Sequence, residues 1–95
     1  MNYLEKIGFT SVDIDIIKET TTKTIYELLI EQKKLVTANI NYLKNMGVSN
    51  YKDIFIKYPD LFLTDNSSFT EMFDKYDHDD LISKLENNVD VFAYL

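Results

Sequence analysis

The densest run of chemistry-bearing residues is Asp74-Lys75-Tyr76-Asp77-His78-Asp79-Asp80, which holds the only histidine of the chain. Carboxylates converging with an imidazole would suit a hard or borderline cation. The spacing does not fit a calcium loop. No glycine stands at the sharp turn, and the twelfth position counted from Asp77 is Asn88 rather than a glutamate. The same residues read more simply as a helix start. Asp77 would cap a helix beginning near His78, with Asp79 and Asp80 in its first turn, where the helix dipole favours anions. No metal and no cofactor is expected.

Nucleophilic catalysis has little to work with. There is no cysteine for His78 to activate, and no serine sits in a recognisable nucleophile motif. The acid pairs Asp13 with Asp15 and Asp79 with Asp80 point to different faces of a helix. Two isolated glycines cannot build a phosphate-cradling loop. No catalytic residue is assigned, and the chain is expected not to be an enzyme.

Charge says more about partners. All ten basic residues are lysines, so the bidentate guanidinium that reads phosphate and guanine is missing. The net charge of -6 is also unevenly placed. Residues 1–48 carry six lysines against six acids, whereas residues 49–95 carry four against ten. A polyanion approaching the second half meets like charge, so nucleic acid and anionic membranes are disfavoured and a basic protein is favoured. The longest apolar run, Val91 to Leu95, is too short to cross a bilayer. With no apolar stretch in Met1 to Phe9 to serve as a secretory signal, the expected location is the cytoplasm.

The elements that would position these groups are helical. Tyr51, Ile54, Phe55 and Tyr58 recur at the i, i+3, i+4, i+7 spacing, and Phe69, Met72, Phe73 and Tyr76 repeat it. Phe55, Phe69 and Phe73 are therefore assigned to the core. Val36, Ile40, Leu43 and Met46 mark another stripe, for which Thr37 is the expected cap. Asn50 and Asp53 have capping-box spacing. Gly8 and Gly47 sit where helices end in a left-handed residue, and Pro59 closes the helix before it. Residues 11–26 are ambiguous. Val12, Ile14 and Ile16 alternate with Asp13 and Asp15 as in a strand, and several threonines follow, so a hairpin competes with a helix there.

A repeat favours the helix. Tyr3-Leu4-Glu5-Lys6-Ile7-Gly8-Phe9-Thr10 matches Tyr42-Leu43-Lys44-Asn45-Met46-Gly47-Val48-Ser49, thirty-nine residues on. After one inserted residue, Asp13-Ile14 aligns with Asp53-Ile54. Asp60-Leu61-Phe62 returns as Asp90-Val91-Phe92, thirty residues on. Helix-turn-helix units of this kind bury their faces by stacking.

The stretch Leu43-Lys44-Asn45-Met46-Gly47-Val48-Ser49, then Ile54, then Tyr58-Pro59-Asp60-Leu61-Phe62-Leu63, resembles the repeat of the mitochondrial transcription termination factor (mTERF) family. The resemblance implies a stack of short helices and, in that family, nucleic-acid binding along a basic face. This chain departs from it in having no arginine and in being acidic where the match is best. Met46-Gly47-Val48 also resembles the turn of ubiquitin-associated (UBA-like) three-helix domains, which implies protein binding.

The expectation is one all-α domain spanning 1–95, a compact array of about six or seven short helices. Its helix-turn-helix repeats would stack solenoid-like, with units near 3–30, 42–65 and 69–95. The expected function is a protein-interaction or accessory module; the alternative is an mTERF-like nucleic-acid-associated repeat. Expected contact residues are Asp74, Tyr76, Asp77, Asp79, Asp80 and Tyr94.

Overall fold

Two glycines end two helices in the same way. The computed structural model describes residues 1–95, and Gly8 and Gly47 are its only residues with positive φ, at 117° and 104°. Each closes a helix: α1 (Tyr3–Ile7) and α4 (Lys33–Met46). In each, the next amide folds back onto the buried leucine's carbonyl, Phe9 N–H to Leu4 O at 3.1 Å and Val48 N–H to Leu43 O at 3.2 Å. This is the Schellman arrangement, and only glycine enters that backbone region without a Cβ penalty.

Side-chain caps start most of the other helices. Thr10 forms a reciprocal capping box with Asp13 at the head of α2 (Ser11–Thr20), and Thr22 accepts from Ile25 N–H at the head of α3 (Lys23–Glu31). The hairpin alternative for 11–26 is therefore replaced by two helices, because those threonines cap and do not pair in a ladder. Helix α5 (Tyr51–Lys57) has no side-chain cap, contrary to the Asn50–Asp53 expectation. The Asn50 amide instead donates to Leu85 O at 3.0 Å. Asp65 caps α6 (Asn66–Asp74), and Asp77 caps α7 (His78–Asn87).

Helix α4 also begins earlier than its sequence suggests. Gln32 both ends α3 and opens α4, so Thr37 lies inside the helix and caps nothing. The buried face of α4 is Val36, Asn39, Ile40 and Leu43. Asn39 is the one polar side chain wholly inside the core. It is satisfied three ways: its amide donates to Phe62 O at 2.9 Å and Thr64 O at 2.8 Å, and its oxygen accepts from Asn66 at 3.0 Å. Burial without those partners would cost on the order of 1–3 kcal/mol per lost bond.

Two 3₁₀ turns complete the chain, η1 (Pro59–Leu63) and η2 (Val89–Tyr94). Tyr58, restricted by the proline after it, leaves the α region and ends α5. The thirty-residue echo falls on these two turns. Phe62 and Phe92 are both buried, with rings stacked 5.3 Å apart and only 24° from parallel. Phe55, Phe69 and Phe73 surround them, all at 0% exposure, as their spacing predicts.

The architecture is therefore all-helical, with seven α-helices and two 3₁₀ helices. Helix α4 is central: α1, α3, α5, α6 and η1 pack on it. Helix α2 packs on α5, α3 on η1, and η2 closes over α5 and α7. The radius of gyration, 12.6 Å, is what a compact chain of this length requires, about 13 Å at 100 residues. No helix is long and apolar enough to cross a membrane.

Candidate partner-binding site

The acidic run from Asp74 to Asp80 is the corner between α6 and α7, and most of its charges have local work. Asp77 accepts from Asp80 N–H at 3.0 Å, the cap its position predicts. Asp79 and Asp80 occupy the first turn of α7. Asp80 is paired one turn on with Lys84 at 2.9 Å. Asp74 points the other way, to α4. It accepts from the Tyr42 hydroxyl at 2.7 Å and lies 3.2 Å from His78 Nε2. Burial, then the hydrogen bond and charge of Asp74, push the Tyr42 hydroxyl up to about 12. No three metal-ligating side chains converge here or elsewhere.

Beside this corner a cleft of about 190 Å³ opens between α7 and η2. Asp80, Leu81 and Lys84 of α7 line one side, Val91, Tyr94 and Leu95 the other, and Tyr76 lies at the end. Leu81 is buried, whereas Tyr76 is 45% exposed and Tyr94 86% exposed. Of the six expected contact residues, the fold brings Tyr76, Asp80 and Tyr94 to this cleft. Asp74, Asp77 and Asp79 lie outside it, as a hydrogen-bond partner of Tyr42 and His78, a cap and an exposed first-turn charge.

The cleft depends on how η2 is held. Phe92 plugs η2 into the core, and Asn88 caps it by accepting from Asp90 N–H at 3.0 Å. Asp90 then ties it to the end of α5, with Lys57 Nζ at 2.5 Å and the Tyr58 hydroxyl at 2.6 Å. Those two donors hold the Asp90 carboxyl below its usual range, and the hydrogen bond to Asp90 raises both Lys57 and Tyr58.

Sequence reasoning missed Leu81, Lys84, Val91 and Leu95. The i, i+4 pair of Asp80 and Lys84 was a usable signal, since a helical lysine placed there shares its aspartate's surface. The return of η2 had no local signal. Two other depressions are larger, about 330 and 270 Å³, but each has a single apolar lining residue. Lysine and threonine dominate their walls, and water serves those groups well. The α7–η2 cleft, smaller but mostly apolar, gains more from being covered.

Comparison with known protein families, with curated proteins and with solved structures finds no match for this chain.

Proposed function

We propose that the chain is a non-enzymatic protein-interaction module that takes a basic partner at the α7–η2 cleft. One juxtaposition carries this reading: the exposed rings of Tyr76 and Tyr94 flank Asp80 at a mostly apolar cleft. Exposed tyrosines beside a small apolar depression have the composition of an interface centre, where aromatic anchors supply most of the binding energy. The net negative charge of residues 49–95, the half of the chain that lines the cleft, favours a cationic partner.

We also propose that α1–α2–α3, α4–α5–η1 and α6–α7–η2 are three successive units of a short solenoid. The contacts of α1 with α4, of α4 with α6, of α2 with α5 and of α3 with η1 support it, as does the stacking of Phe62 on Phe92. On this reading the middle unit starts at Lys33 instead of near residue 42. A stack of this kind exposes faces that longer solenoids use for partners.

The test is anisotropy of a fluorescein-labelled lysine-rich peptide, at low and high salt, with wild type and the Asp79→Lys, Asp80→Lys double variant. Circular dichroism checks that α7 survives the charge reversal. Binding should weaken with salt, because exposed charges are screened beyond about 8 Å at physiological ionic strength, and should be lost in the double variant. Affinity unchanged in both comparisons would make the acidic half a solubilising surface only. Tight binding to duplex DNA in the same assay would favour the mTERF-like nucleic-acid reading instead.

A further inference from the structure

The cleft restricts what that partner can present. Its volume, about 190 Å³, is well below the ~300–1,000 Å³ of sites that enclose a cofactor or drug-sized ligand. It has room for one large aliphatic or aromatic side chain. Leu81, Val91 and Leu95 supply apolar contact, and the two tyrosines can close over whatever enters. The polar rim is a single ion pair, Asp80 with Lys84, whose side chains are each 62% exposed. An exposed pair of this kind contributes little to stability, so exchanging one partner costs little. Asp79 stands next to Asp80 on the same helix turn and adds a second negative charge.

Resting on the proposed function, we infer that the α7–η2 cleft reads a two-part signal in a partner protein. One apolar side chain such as leucine fills the cleft, and an adjacent lysine or arginine takes Asp80 in exchange for Lys84. The apolar anchor supplies affinity by leaving water. The adjacent cation supplies selectivity, since an acidic neighbour would meet the like charge of Asp80 at the cleft, with Asp79 adding to the negative field from the next face of the helix. Tyr94, exposed at 86% in the free chain, has the most surface to lose on binding and becomes the anchor's lid, with its face open to the partner's cation. Val12 and Ile16, also exposed on α2, have no such charge pattern beside a cleft.

The experiment uses three fluorescein-labelled peptides on the whole chain: Gly-Lys-Leu-Lys-Gly, the same with alanine for leucine, and the same with glutamates for both lysines. Anisotropy gives affinities and amide chemical-shift mapping gives the location. The leucine peptide should bind ~10-fold or more tighter than the alanine peptide, the effect of burying one such side chain. The glutamate peptide should not bind. Shifts should centre on Leu81, Lys84, Val91 and Tyr94. Tyr94→Ala, at an exposed position that leaves the core intact, should remove the leucine preference; Asp80→Asn should weaken the lysine peptides and spare that preference. Equal binding of the leucine and alanine peptides would overturn the anchor while leaving the electrostatic reading of the acidic half standing. Binding that maps to α2, or no binding by any peptide, would overturn both. A dimer in sedimentation that Tyr94→Ala dissolves would assign the cleft to a second copy of the chain and overturn the two-part signal.

Discussion

The turn at Gly8 and the turn at Gly47 come from nearly the same sequence and share one half of their structure. Both glycines are left-handed, both preceding leucines are fully buried, and both following residues, Phe9 and Val48, turn inwards at 3% and 1% exposure. Beyond that point they part. Thr10 folds back on its own helix and makes a capping box with Asp13. Its counterpart Ser49 donates to Glu86 of α7, and Asn50 reaches Leu85 of the same helix. The ending of a helix is thus fixed locally, by one residue that tolerates positive φ. The start of the next helix is decided by whatever packs alongside. The first turn lies at an edge, where its cap must be supplied from within. The second lies under α7, which competes for the same polar groups.

Replacing the glycines should give the largest effect. Alanine at either position keeps a strained φ, costing on the order of 1–2 kcal/mol, partly offset by a stiffer unfolded chain. The two sites should nevertheless differ. A Cβ on Gly8 would come within 3.1 Å of the Tyr51 hydroxyl, which donates to Ile7 O at 3.0 Å. On Gly47 the nearest atom is Ile82 Cδ1 at 3.7 Å, ordinary contact. Gly8→Ala should therefore lower the melting temperature more than Gly47→Ala, at about 4–8 °C per kcal/mol for a domain of this size. Equal shifts would mean that Tyr51 gives way freely and that only φ matters at both turns.

The caps come next. Thr10→Ala removes a side chain that satisfies an otherwise unpaired amide of α2, and should cost about 1 kcal/mol in urea unfolding. Ser49→Ala removes only an exposed link to Glu86 and should stay within about 0.5 kcal/mol. A loss at Ser49 as large as at Thr10 would show that the α5–α7 contact stabilises as strongly as a true cap, and would undo the contrast between the turns.

How far the fold was legible follows the same division. Phe55, Phe69 and Phe73 on their helical stripes, the glycine endings and the Asp77 cap are properties of a few neighbouring residues, and each lies where its spacing places it, whereas Tyr76, the last of its stripe, falls beyond the end of α6 and is exposed. The start of α4 was not legible, because Gln32 carries no capping chemistry and the break is a single residue set by packing on both sides. Asn39 was not legible either. An asparagine in an apolar stripe reads as solvent-facing until the carbonyls of Phe62 and Thr64, more than twenty residues away, come to meet it. The echo of Asp60-Leu61-Phe62 in Asp90-Val91-Phe92 was visible as repetition, but nothing in it announced a 3₁₀ turn. Half of the cleft was hidden for that reason: Tyr76 and Asp80 follow from the α6–α7 corner, whereas Val91, Tyr94 and Leu95 join them only because Phe92 and Asp90 hold η2 in place.

The smallest expected effect tests whether the repeat extends to its tyrosines. Tyr3 and Tyr42 hold the same place in the two units, and both hydroxyls are pushed from 10.0 up to about 12. Burial is the main cause in each. The secondary causes differ: Tyr26 lies near Tyr3, whose hydroxyl donates to Leu29 O at 2.6 Å, whereas Tyr42 donates to the charged Asp74. The fold disfavours the phenolate at both sites. Their contribution to stability is therefore complete below 10.0, the value in the unfolded chain, and is lost as pH rises through about 12. Asp74→Asn keeps an acceptor for Tyr42 and removes only the charge. In ultraviolet titrations, with Tyr3→Phe and Tyr42→Phe to assign the two transitions, this variant should bring Tyr42 part of the way back towards its ordinary value. Tyr3 should not move. A Tyr42 transition indifferent to Asp74→Asn would mean that burial alone sets both hydroxyls, and that the two tyrosines are equivalent in environment as well as in sequence.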